Sequence, residues 1–93
     1  MIKSFASSET KKIFEGRTLK EFPAEIQKTA RRKLLQLDAA TTLKDLGSLP
    51  GNRLHALKHP RNGQHSISIN MQWRICFVWT PEGPANLEIV DYH

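Results

Sequence analysis

The chain has one cysteine, Cys76, among 93 residues. A lone thiol excludes an internal disulfide framework and a cysteine-based zinc site, and it suits a reducing compartment. No apolar run reaches the roughly 20 residues of a membrane-spanning helix, and the opening Met1-Ile2-Lys3-Ser4-Phe5 leads into no hydrophobic stretch. Neither a signal peptide nor a membrane contact is expected, and the expected location is the cytoplasm. Repeats, low-complexity tracts and Ser/Gly linkers are also missing, so residues 1–93 are expected to form one domain. Three common enzyme designs lack their parts: the paired carboxylates of a glycosidase, a Gly-rich phosphate loop, and a Cys/His pair with an orienting third group. Acidic residues are scarce. Nine Asp and Glu against fourteen Lys and Arg leave a net charge of +5, which points to a polyanionic partner.

What is present divides into two halves. Ile2 to Phe5 reads as a short strand, and Ser7 or Ser8 caps a helix over Glu9 to Glu15 that Gly16 stops. Pro23 suits the first turn of a second helix, whose apolar positions Phe22, Ile26, Ala30, Leu34 and Leu37 recur every three or four residues. Lys28, Arg31 and Arg32 share its opposite side. A short turn or helix around Thr42 to Leu46 leads into Pro50-Gly51. From Asn52 the period becomes two, with candidate strands at Arg53–Leu57, His65–Ile69, Trp73–Trp79 and Asn86–Val90. Turn chemistry at Pro60–Gly63, Asn70–Gln72 and Pro81–Pro84 separates them. Trp73, Ile75, Phe77 and Trp79 share a face with Leu87 and Ile89 for the helices to cover, while Arg74, Cys76 and Val78 fall on the other. The expected fold class is therefore α+β, helices on one face of an antiparallel sheet, the second face free for a ligand.

Four histidines and the run Asp91-Tyr92-His93 are the polar groups that could carry chemistry. His55 and His59 on one extended strand would stand about 13 Å apart, against the bond of about 2 Å that each ligand of a shared zinc makes. No metal and no cofactor is expected. Cys76, between Ile75 and Phe77, reads as a small core residue. RNA cleavage without metal needs a base for the ribose 2′-hydroxyl, cations at the scissile phosphate and an acid for the leaving 5′-oxygen. His55, Lys58 and Arg74 could meet Asp91, Tyr92 and His93 if the last strand lies beside Trp73–Trp79, and the Tyr92 ring could stack on an exposed base. Each group has a plainer reading too: a frayed tail for Asp91-Tyr92-His93, an exposed strand and turn for His55 and Lys58. Lys28, Arg31 and Arg32 form either a solvated helix face or a footing on nucleic-acid phosphates. Arg74 is harder to dismiss, because a strand-centre arginine needs a partner or an anion. His59 and His65 read as surface or packing histidines.

Several runs, taken together and in order, resemble a family. They are Ile2-Lys3-Ser4-Phe5, Leu35-Gln36-Leu37-Asp38-Ala39-Ala40, Arg53-Leu54-His55-Ala56-Leu57-Lys58, Gln64-His65-Ser66-Ile67, Trp73-Arg74-Ile75-Cys76-Phe77 and Val90-Asp91-Tyr92-His93. Over essentially the whole chain the sequence is similar to the HigB toxins of type II toxin–antitoxin modules, in the RelE/ParE superfamily. The resemblance implies a RelE-like fold, with two N-terminal helices on one face of a small, mainly antiparallel sheet that the first strand completes. It implies a metal-independent, ribosome-dependent endoribonuclease that cuts mRNA in the ribosomal A site and so inhibits translation. The family's active-site groups map onto His55, Lys58, Arg74, Asp91, Tyr92 and His93. The implied partners are a HigA-like helix-turn-helix antitoxin, the ribosome and mRNA, with operator DNA reached only through the antitoxin. Alternatives on the same fold are a ParE-like gyrase inhibitor without enzymatic activity and a toxin that binds ribosomes without cutting.

Overall fold

A computed structural model describes residues 1–91. Helix α1 (Ser8–Phe14) starts where the Ser7 side chain accepts the Thr10 N–H, satisfying one of the first-turn donors that a helix cannot pair internally. Gly16, at φ 91°, turns the chain away after it. Helix α2 (Ala24–Ala39) follows Pro23, which stands at the cap just outside the first turn. The Gln27 side chain closes the loop before α2: its amide donates to the Leu19 carbonyl at 2.6 Å and the Phe22 carbonyl at 2.9 Å, and its oxygen accepts the Leu19 N–H at 3.0 Å. Helix α3 (Leu43–Ser48) is capped by Thr42 and lies where a short turn or helix was expected.

The second half is an antiparallel meander of β1 (His55–Ala56), β2 (His65–Ser68), β3 (Trp73–Thr80) and β4 (Gly83–Asp91), in that spatial order. Three strands differ from expectation. The candidate Arg53–Leu57 shrinks to His55–Ala56, because Arg53 takes φ 47° and breaks the extended run. The last strand instead begins early. The Thr80 hydroxyl accepts the Glu82 N–H and donates to the Gly83 carbonyl, which confines the turn to Pro81-Glu82 and puts Gly83 and Pro84 in β4. The N-terminal strand reduces to one parallel bridge, Phe5 with Leu87. Backbone bonds from Lys3 to Pro84 and from Ala6 to Leu87, both 2.8 Å, still lay the segment along β4.

Helices and sheet share one core. Ile26, Ala30, Leu34 and Leu37 of α2 are buried against Ile67, Ile75, Phe77 and Leu87 of the sheet, as the two periodicities require. The buried Thr10 hydroxyl ties α1 to β4 by accepting the Ile89 N–H at 3.0 Å. Thr10→Val keeps the shape and leaves that amide unpaired, so it is expected to cost about 1–3 kcal/mol, read from urea unfolding. The outer sheet face, expected from sequence to be free for a ligand, is covered along part of its length. Ser66 and Cys76 there are fully buried, and the β1–β2 loop reaches across them to an Arg61–Glu88 ion pair of 3.4 Å. Burial pushes the Cys76 thiol pKa up, against the pull of Arg61, consistent with a packing role. The end of this face that carries His55 and Arg74 stays accessible, with His55 exposed and Arg74 half-buried.

Candidate active site

Strand alternation puts Arg74 on the outer face, opposite Ser68 of β2 and Val90 of β4. A half-buried guanidinium needs acceptors, and the neighbouring strand and loop supply them. Its Nε donates to the Ser66 hydroxyl at 2.7 Å, and Nη2 donates to the Arg53 carbonyl at 2.7 Å. The left-handed backbone at Arg53, costly for any residue but glycine, is what aims that carbonyl inward. Nη2 also lies 3.2 Å from His55 Nδ1. A guanidinium has no acceptor, so Nδ1 accepts and the ring proton is assigned to Nε2. His55, exposed on β1, thus presents Nε2 as an N–H donor.

Asp91 pairs with Trp73, one residue beyond the Arg74–Val90 pair. Alternation therefore puts it on the helix-facing side of the exposed sheet end rather than beside Arg74. The Gln72 side-chain amide donates to both Asp91 oxygens at 3.1 Å. Lys58 is exposed in the loop after β1, where its carbonyl accepts the Arg61 N–H at 2.8 Å. Tyr92 and His93 lie outside the described residues. Lys28, Arg31 and Arg32 are not at this site. They line an open groove of about 560 Å³ between α1 and α2, with Arg17 beside them and Ile13 and Leu35 also in its lining.

Sequence reasoning passed over four residues. Ser66, Arg53 and Gln72 hold Arg74 and Asp91. The fourth is Lys33, buried on α2 with its ammonium on the Gly51 carbonyl at 3.0 Å. Burial lowers its pKa, and the charges of Arg32 and Arg74 lower it further. The available signal was register. Ser66 and Ser68 share the period-two face of Arg74, but only strand pairing shows which of them its Nε reaches.

The model of the RelE-like toxin HigB of type II toxin–antitoxin systems matches residues 3–93. The chain belongs to the HigB family. It is 33% identical over 93 residues to the endoribonuclease HigB of Proteus vulgaris, spanning 100% of both chains. It is 39% identical over 71 residues to toxin HigB-1 of Vibrio cholerae serotype O1, covering 76% of this chain and 74% of that one. An uncharacterised protein of Haemophilus influenzae shares 32% identity over 72 residues, 77% of this chain and 71% of its own. As a HigB-family toxin of a type II system, the chain has an antitoxin as its partner. Its α+β architecture is the RelE-like one. Among the described residues, no helix is long and apolar enough to cross a membrane.

Proposed function

We propose that this HigB-family toxin is a ribosome-dependent endoribonuclease that cuts mRNA in the A site, needs no metal, and so stops translation. The observation that carries the reading is the Arg74–His55 pair: a held guanidinium with an N–H donor beside it at an accessible sheet end. Such donors suit the charge that grows on a phosphate under attack. The name of the Proteus relative, an endoribonuclease aligned over the full chain, supports the same activity.

In this mechanism the mRNA 2′-hydroxyl loses its proton to a base drawn from His93 and Asp91, and its oxygen attacks the adjacent phosphorus. Arg74 and Lys58 neutralise the developing charge, and His55 donates from Nε2 to a phosphate oxygen. The bond to the 5′-oxygen breaks, that oxygen takes a proton from the acid of the same pair, and a 2′,3′-cyclic phosphate and a 5′-hydroxyl remain. Tyr92 stacks on or orients the substrate nucleotide. Gln72 keeps the Asp91 carboxylate in place. A HigA-like helix-turn-helix protein is the proposed antitoxin, with the toxin touching operator DNA only through it.

Lys28, Arg31 and Arg32 supply the footing on ribosomal RNA. Reversing all three to glutamate is expected to weaken ribosome binding and to flatten its salt dependence by about one unit of slope per lost phosphate contact, read by sedimentation at several ionic strengths. Unchanged binding and slope would remove this footing. The activity is tested by incubating the protein with purified ribosomes on a defined message and mapping ends by primer extension. One new 5′-hydroxyl end inside the A-site codon is expected on the downstream fragment, with the cyclic phosphate on the 3′ end of the upstream one. An intact message together with gyrase-dependent DNA breaks would replace the reading with gyrase inhibition. An intact message with firm ribosome binding would leave a toxin that binds without cutting.

A further inference from the structure

Ser66 has no place in the proton or phosphate chemistry, yet its surroundings are those of a group with a task. It is fully buried on the outer sheet face, opposite His55 in one ladder and Cys76 in the next. It thus occupies the strand between the two that carry His55 and Arg74. Its hydroxyl accepts the Arg74 Nε–H at 2.7 Å, and its carbonyl lies 3.5 Å from Nη2. With the Arg53 carbonyl at 2.7 Å, the Nε and Nη2 side of the guanidinium plane is fixed by β2 and the segment leading into β1.

We propose that Ser66 is a positioning residue that, together with the Arg53 carbonyl, holds the Arg74 guanidinium in the orientation from which it meets the scissile phosphate. This rests on the endoribonuclease reading above. An arginine side chain has many rotamers, and ordering them when substrate arrives would subtract from transition-state stabilisation. Donors fixed beforehand avoid that loss. A buried serine two strand positions from the arginine does this with a single short contact, because its hydroxyl can rotate its proton away and offer a lone pair to Nε. The same contact holds the Nη2 group against His55, so one hydroxyl orients both phosphate-facing donors.

The test combines kinetics with a signal that owes nothing to cleavage. Ser66→Ala removes the acceptor. Ser66→Cys keeps the volume with a poor acceptor, so agreement between the two separates hydrogen bonding from packing. Both are expected to lower kcat on ribosome-bound message by about 10- to 100-fold, the range for losing a hydrogen bond to a charged group, with KM within about twofold, and Ser66→Thr is expected to restore most of it. In an Arg74→Lys background, which lacks Nε, Ser66→Ala is expected to cost no further activity. The Arg74 Nε–H proton, followed by NMR in the wild-type chain, is expected to exchange slowly with water and to exchange faster in Ser66→Ala.

Unchanged exchange in Ser66→Ala would overturn the positioning role whatever the kinetics. Faster exchange with unaltered kcat, in an enzyme that Arg74→Ala disables, would overturn its functional importance. A full additional loss in the Arg74→Lys background would assign Ser66 an effect of its own and overturn the proposal equally. If the wild-type protein cuts nothing, the endoribonuclease reading falls and takes the kinetic claim with it, while the exchange data still report whether Ser66 holds the guanidinium.

Discussion

Deleting His93 is expected to lower A-site cleavage by about 10²- to 10⁴-fold, the usual contribution of one positioned acid or base. Imidazole changes charge near neutral pH, and the groups that remain at the site do not replace it. Arg74 and Lys58 are cations that only donate, and His55 has its Nδ1 lone pair directed at Arg74. Asp91 keeps an acceptor but is held by Gln72. The folded state is expected to be unaffected, because the described β3–β4 register already extends from Thr80–Gly83 to Trp73–Asp91. Single-turnover cleavage gives the first quantity and a urea melt the second. Wild-type cleavage by the shortened chain would rule out His93 as a proton-transfer group.

Arg74→Ala is expected to cost about 10²- to 10³-fold in kcat, the range for removing one preorganised donor from a developing oxyanion. The loss should fall on kcat more than on KM, because the guanidinium meets its full charge partner only as the phosphorane-like state forms. Arg74→Lys should recover a minor part. An ammonium restores the charge but not the planar fork that fills the Ser66 and Arg53 acceptors and reaches His55 together. The alanine variant also leaves the buried Ser66 hydroxyl without its Nε partner, so a fall in stability of about 1–3 kcal/mol accompanies the kinetic loss. Measuring unfolding alongside rate separates the two. A variant that cuts at the wild-type rate would remove Arg74 from the phosphate.

The sequence carried the architecture further than the site. The i, i+4 run Ile26, Ala30 and Leu34 and the alternation Ile75, Phe77 name faces that tertiary packing does bury, because burial is what those periods encode. It misjudged where local backbone chemistry overrides pattern. The left-handed Arg53 ends a run that alternation would continue, and Thr80 draws Gly83 and Pro84 out of the turn and into β4. The free outer face was also an overstatement. Leu57 and Cys76 are buried there because a loop crosses the sheet, and loop paths leave no periodic trace in sequence.

Resemblance and strand alternation together singled out Arg74 and His55, and the register makes them neighbours. Ser66, Arg53 and Gln72 stayed unseen because their importance lies in pairing across strands, or in a main-chain carbonyl that every residue has. Lys33 stayed unseen for another reason. On the helix it reads as one more surface cation beside Arg31 and Arg32, and only the Gly51 turn closing over it shows it to be buried.

The central claim is a division of labour, in which the ribosome presents and orients the message and the toxin supplies only the cutting groups. A chain of 93 residues with one shared core has little room to select a substrate as well. The most direct measurement is primer extension on one defined message under three conditions: naked, bound to ribosomes with the A site vacant, and bound to ribosomes with that site filled by tRNA. Cleavage confined to the vacant A-site complex is the predicted result. Equal cleavage of the naked message, or of the complex whose A site is filled, would contradict it.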